Sequence, residues 1–164
     1  MSEKTGLDRT HASSRLQKAV FWGLHFLVIL LCAWLVLGGG LKSIAGWTGW
    51  AVDWADPVRA LILFFCAVIY FVRHGITLFY LLARRVDWGE VFGLTVFFAL
   101  FEIGFLLVGG GVFRDSPIAI SWLDFLALGL YLSGSFLNSA SEIQRKFWKK
   151  DRSNKGHCYT CLLY

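Results

Sequence analysis

None of the loop-borne signatures of soluble catalysis is present: the chain has no G-x-G-x-x-G turn, no Walker loop, no H-E-x-x-H helix and no G-x-S-x-G elbow. Each of those chemistries needs its glycines, histidines or serine at fixed spacing, so any catalysis must come from groups set among apolar helices. Charge is also scarce. Asp, Glu, Lys and Arg make up 16% of 164 residues against 57% hydrophobic residues, with a mean hydropathy of +0.59. That leaves too little polar surface for a soluble domain and makes membrane the default class. No internal repeat, low-complexity tract or Pro/Gly/Ser linker divides the chain. Four cysteines, Cys32, Cys66, Cys158 and Cys161, do not make a secreted disulfide scaffold, and the first two lie inside apolar runs as packing residues.

What charge there is sits where apolar runs meet water. The net +5 therefore reflects a positive-inside pattern and a lipid partner, with no nucleic-acid partner implied. Residues 1–19 are polar and read as a cytosolic tail. Residues 20–37 form a first spanning run, longer than a signal-peptide core, ending at Gly38-Gly39-Gly40. Trp47, Trp50 and Trp54 share one face of a short interfacial helix over residues 41–56. Asp56-Pro57 reads as an N-cap and first helical proline opening a second run to Ala83, closed by Arg84 and Arg85. Residues 88–90 read as a tight return, residues 91–108 as a third run ending at a second triple glycine, and residues 117–137 as a fourth.

The predicted fold is all-α. It has a polar tail (1–19), a four-helix membrane domain (20–137) and a cytosolic helical extension (138–164), with both termini inside. In a bacterium the membrane would be the inner one. Tryptophans near both sets of run ends agree with this topology.

Arg73-His74 and Glu102 interrupt apolar runs, and a charge at that depth needs a partner or a water path. Arg73 lies about 16 Å from the cytosolic end of its run and Glu102 about 18 Å from Glu90, at 1.5 Å per residue. The matched depths predict an Arg73–Glu102 pair, with His74 or Thr77 as further partners. The pair is read either as structural or as the polar floor of a substrate cavity. His25 is expected to be a satisfied packing histidine, and Asp124 to face the outer water.

Cys158-x-x-Cys161 beside His157 lacks the second ligand pair that structural zinc requires, so no metal is expected and the thiols are read as reduced. The final four residues have the C-a-a-X form, although tyrosine is an unusual last residue and an anchor adds little to a spanning protein.

The last stretch, from Leu137, leaves the apolar run as a helix with Ser141, Glu142, Gln144, Arg145 and Lys146, in which Glu142 and Lys146 can pair. Asn138, Ser141 and Glu142 with Arg145 and Lys146, then Lys155-Gly156 and Tyr159-Thr160, form a pattern. It resembles a family of multi-pass membrane proteins of unknown function related to the steroid 5-alpha-reductases and, more distantly, to the isoprenylcysteine carboxyl methyltransferases. The resemblance implies that Asn138, Glu142 and basic residues among Arg145, Lys146 and Arg152 contact NADPH. It also implies a reductase acting on an activated double bond of a lipophilic substrate. Glu102, His74 and Tyr131 are the candidates to donate or orient the proton. S-adenosylmethionine-dependent methyl transfer is the alternative chemistry, and a non-catalytic membrane fragment the alternative of another class. Where the family continues with Gly-Leu-Phe, His-x-Asn-Tyr and further helices, this chain has Cys161-Leu162-Leu163-Tyr164, so a C-terminally truncated relative is expected.

Overall fold

A computed structural model describes residues 14–49, 57–114 and 119–154. The N-terminal tail to residue 13, Trp50, Trp54, Asp56, Asp115, Pro117 and everything after Asn154 lie outside the described residues. The last group includes Lys155-Gly156, His157, Tyr159-Thr160 and the Cys158/Cys161 pair. The elements are α1 (Arg15–Leu37), α2 (Gly40–Trp47), α3 (Val58–Ile76) running on into a π-helical segment (Thr77–Leu81), α4 (Trp88–Gly109), α5 (Trp122–Lys150) and a 3₁₀ turn (Arg152–Asn154). No strand occurs among the described residues. The chain divides into two compact units, residues 1–117 and 118–164.

In the first unit, α1, α3 with its π-helical end, and α4 are each long and apolar enough to cross a membrane. α1 shows why. Its inward stripe is Phe21, His25, Val28, Ile29, Cys32 and Leu35, spaced three or four apart, while Phe26, Leu27, Leu30 and Leu31 on the opposite face are equally apolar and exposed. A helix hydrophobic on all sides is at home in lipid. α1 begins at Arg15, so its polar first turn belongs to the helix expected to start at residue 20.

The two ends of this bundle close differently. At one end, Ser14 Oγ accepts from the Val86 N–H at 3.1 Å and Lys18 Nζ donates to the Leu82 carbonyl at 2.5 Å. These contacts tie the start of α1 to the link between α3 and α4, above a cluster of Phe21, Leu78, Val86, Val91 and Phe98. At the other end, Gly39 takes φ 75° and turns the chain into α2, which packs Leu41 and Ala45 against Leu35, Ala60 and Val112. A third cluster, Val28, Cys32 and Leu106, lies on α1 and α4.

The return expected at residues 88–90 is already helix, and the actual link is residues 82–87. Asp87 caps α4, accepting from the Glu90 N–H at 2.8 Å, while the Glu90 carboxylate accepts the Asp87 N–H at 3.3 Å and both Arg84 guanidinium nitrogens at 2.7 Å. The capping box and the two-pronged ion pair therefore share one glutamate. Asp87→Ala is expected to lower stability by about 1 kcal/mol, read as a reduced midpoint in reversible detergent unfolding.

In the second unit, α5 runs 29 residues without interruption, so the expected helical continuation past Leu137 is present and ends at Lys150. Asp124, read from the sequence as a water-facing residue, is half-buried, accepts the Ser121 N–H at 2.8 Å and closes the first turn of the helix. α5 is not among the three helices apolar enough to span by composition. Its polar positions, including Asp124, Ser133, Ser135 and Asn138, dilute the apolar run.

Candidate functional site

The three spanning helices bring together three titratable side chains that are far apart in sequence. His25 from α1 sits between His74 from α3 and Glu102 from α4. His25 Nδ1 lies 2.7 Å from His74 Nδ1, and His25 Nε2 lies 2.8 Å from Glu102 Oε1. All three are buried, with His25 entirely shielded. Aromatic rings enclose them. Phe21 meets His74 edge-on with centroids 4.4 Å apart, Phe98 lies 5.0 Å from His25 and 5.1 Å from His74, and Phe71 and Tyr70 flank His25 at 5.3 and 5.7 Å.

Glu102 and His74 are thus joined as sequence reasoning allowed, but through His25, which that reasoning had assigned to packing. Glu102 was expected to meet Arg73, yet its carboxyl group shares its hydrogen bond with His25. Helix geometry gives the reason: successive residues lie about 100° apart around an α-helix. Once His74 faces inward, Arg73 cannot share its direction, and it is half-buried. A signal for His25 was available in the spacing of the α1 stripe, where it occupies a central inward position.

Hydrogen-bond bookkeeping restricts how protons can sit in this chain. Each imidazole nitrogen facing another group must be either donor or acceptor. In one arrangement Glu102 is ionised, His25 donates from Nε2 to it, and His74 donates from Nδ1 to the bare His25 Nδ1. In the reversed arrangement Glu102 is protonated and donates to His25 Nε2, His25 donates from Nδ1, and His74 carries its hydrogen on Nε2. The second holds one proton more than the first. An imidazolium at His25 beside ionised Glu102 is a tautomer of the second. In every case His74 Nε2 and Glu102 Oε2 are buried with no hydrogen-bond partner. These two atoms are the opposite ends of the chain of groups.

Among the described residues no cluster of His, Cys, Asp and Glu has the makings of a metal site. Cys32 lies on the same inward stripe as His25, and Cys66 is half-buried on α3; neither is in a disulfide.

The residues matched to a nucleotide by resemblance lie in the second unit. Asn138, Glu142 and Arg145 follow one another at four and three residues along α5 and so share a stripe. The ion pair of Glu142 is with Arg145, at 3.6 Å, both about half exposed, where pairing with Lys146 had been anticipated. Lys146 is half-buried on the same helix, Arg152 lies in the 3₁₀ turn, and Tyr131 is half-buried nearer the start of α5. At the helix end, the backbone N–H and the hydroxyl of Ser153 both donate to Asp151, at 2.9 and 2.8 Å, and hold its carboxyl below the usual aspartate range. That contribution to the turn is present above the ordinary aspartate pKa and is lost as pH falls through the depressed one. No family model, curated protein or solved structure matches the chain.

Proposed function

We propose that this chain is a reductase-like membrane protein that uses NADPH to reduce an activated double bond of a lipophilic substrate, crossing the membrane four times with both termini in the cytosol. The observation that carries the cofactor half of this reading is the continuity of α5. It keeps Asn138, Glu142 and Arg145 on one stripe beyond the apolar half of the helix. A guanidinium supplies paired donors to phosphate oxygens, Lys146 adds a point charge, and Asn and Glu side chains suit amide and ribose groups. Glu142 and Arg145 lie 3.6 Å apart at their charged ends, about half exposed, so both are accessible to a ligand.

Reduction of a polarised double bond adds a hydride and a proton. NADPH would supply the hydride when bound, and a side chain or water within reach of the substrate would supply the proton. Within the first unit, the His25–His74–Glu102 chain is a buried set of groups able to hold and release a proton. The topology takes the three helices of spanning length together with the apolar part of α5 before Asn138 as a fourth crossing, and rests its orientation on the basic residues at the expected inner ends, Arg84, Arg85, Lys149 and Lys150.

Titrating the purified full chain with NADPH tests the proposal. Saturable binding that weakens at least tenfold, about 1.4 kcal/mol, in both Asn138→Ala and Glu142→Ala is the expected result. Saturable binding of S-adenosylmethionine with none of NADPH would replace it by methyl transfer. Binding of neither would leave the non-catalytic reading.

A further inference from the structure

We propose that His74, His25 and Glu102 form a relay that moves one proton along the axis of the three-helix bundle, between His74 Nε2 and the Glu102 carboxyl group. No nucleotide takes part, so this stands or falls separately from NADPH binding.

The axial direction comes from depth. The start of α1, the end of the π-helical segment and the start of α4 share one end of the bundle, as the Ser14–Val86 and Lys18–Leu82 hydrogen bonds show. Measured from that end, His74 lies about 10 Å in, His25 about 15 Å and Glu102 about 21 Å at 1.5 Å per residue. The hydrogen-bonded chain therefore climbs along the bundle axis. It leaves the layer of Phe21, Leu78 and Phe98 and points toward that of Val28, Cys32 and Leu106.

The open ends give the direction a use. A purely structural clasp would be expected to satisfy its own polar atoms, because an unpaired buried polar atom is costly. Here the interior of the chain is fully bonded while both outermost atoms, His74 Nε2 and Glu102 Oε2, are left without partners. The aromatic enclosure and the complete shielding of His25 select the smallest of ligands, a proton passed between atoms already in contact.

The transfer balances as follows. A proton adds to the bare Nε2 of His74. The Nδ1–H bond of His74 breaks as its hydrogen passes to His25 Nδ1, and the Nε2–H bond of His25 breaks as its hydrogen passes to Glu102 Oε1. The product is a neutral carboxylic acid with both imidazoles neutral and every internal hydrogen bond reversed. No electrons move. In the reverse transfer the carboxyl proton of Glu102 passes to His25 Nε2, the Nδ1 hydrogen of His25 passes to His74 Nδ1, and the Nε2 hydrogen of His74 leaves, which restores the first arrangement. The other titratable groups near the chain are Cys32 on α1 and Tyr70 and Arg73 on α3.

The test uses the full chain in lipid nanodiscs with ring-¹⁵N histidine, carrying His11→Gln and His157→Gln so that only the two relay histidines report. Across about pH 4 to 10, a range spanning the ordinary carboxyl and imidazole values, three changes should share one midpoint. His74 shifts its proton from Nδ1 to Nε2, His25 shifts from Nε2 to Nδ1, and the infrared band of protonated Glu102 appears. In the same background, Glu102→Gln should hold both histidines in one tautomer throughout. The relay is overturned if the midpoints separate by about a unit or more, a tenfold difference in proton concentration, since the two arrangements differ by one proton and that midpoint belongs to the whole chain of groups. It is equally overturned if His25 is doubly protonated while Glu102 stays ionised, which stops the proton at the middle of the chain. Histidine tautomers that never change across the range would also overturn it.

Discussion

His25→Ala is expected to destabilise the membrane unit by about 3–5 kcal/mol, the cost of leaving a buried charge without its partner. The imidazole is the residue through which α1 touches both other spanning helices with polar atoms, at 2.7 Å to His74 and 2.8 Å to Glu102. Removing it strands two buried groups at once and empties a space walled by Phe71, Phe98 and Tyr70. The measurement is reversible unfolding in mixed micelles. The informative control is the triple replacement His25→Leu, His74→Leu and Glu102→Leu, which should recover most of the loss, because apolar residues of similar volume often replace a buried ionic network without penalty. A single variant as stable as the parent would mean that His25 does not hold the Glu102 carboxylate.

Gly40→Val is expected to cost up to about 3 kcal/mol through overpacking at the turn from α1 into α2. A Cβ at Gly40 would stand 2.7 and 2.8 Å from ring carbons of Trp34 and 3.0 Å from the Leu35 Cα. The indole can swing toward lipid, being about half exposed, but the Leu35 backbone cannot. Displacing α2 would open the cluster of Leu35, Leu41, Ala45, Ala60 and Val112 that seals the far end of the bundle. Gly46, in the same short helix, has nothing within 4 Å of its Cβ position. Gly46→Ala should therefore change stability by no more than about 1 kcal/mol, in the favourable direction. Equal losses from the two substitutions would show that the close approach at Gly40 is not what sets the cost.

The helical class was legible in the apolar runs and their glycine and arginine ends, and the continuation of α5 past Leu137 was legible in its lack of proline. The position of the first helix was less so. Arg15, Gln17 and Lys18 read as tail because their polarity hides a helical turn whose Ser14 and Lys18 hold the α3–α4 link. The candidate site was half legible. His74 and Glu102 stood out as charges in apolar runs, but a lone histidine in α1 carries the same sequence signal whether it faces lipid, packs inertly or bridges two partners. In soluble proteins the polar face of a helix tells which side is inward. In α1 both faces are apolar, so hydropathy is silent on direction, and only the three- and four-residue spacing of Phe21, His25, Val28, Cys32 and Leu35 points inward. The Arg73 expectation came from depth without rotation, and one residue of rotation gave the place to His74.

The sequence separation inside the polar chain also bears on how the protein is made. Glu102 follows His25 by 77 residues, a gap that takes a ribosome about 4 to 15 seconds at 5–20 residues per second. His74 follows His25 by 49 residues, so neither bonding partner of the α1 imidazole is yet synthesised in the first part of that interval, and Glu102 alone is missing in the rest. The first hosts of that imidazole are lipid and whatever water a membrane defect admits. The later arrival of α3 and α4 as a hairpin clasped by Arg84 and Glu90 supplies both partners. In the order of synthesis α1 is thus the helix that stands longest with a polar side chain awaiting its partners.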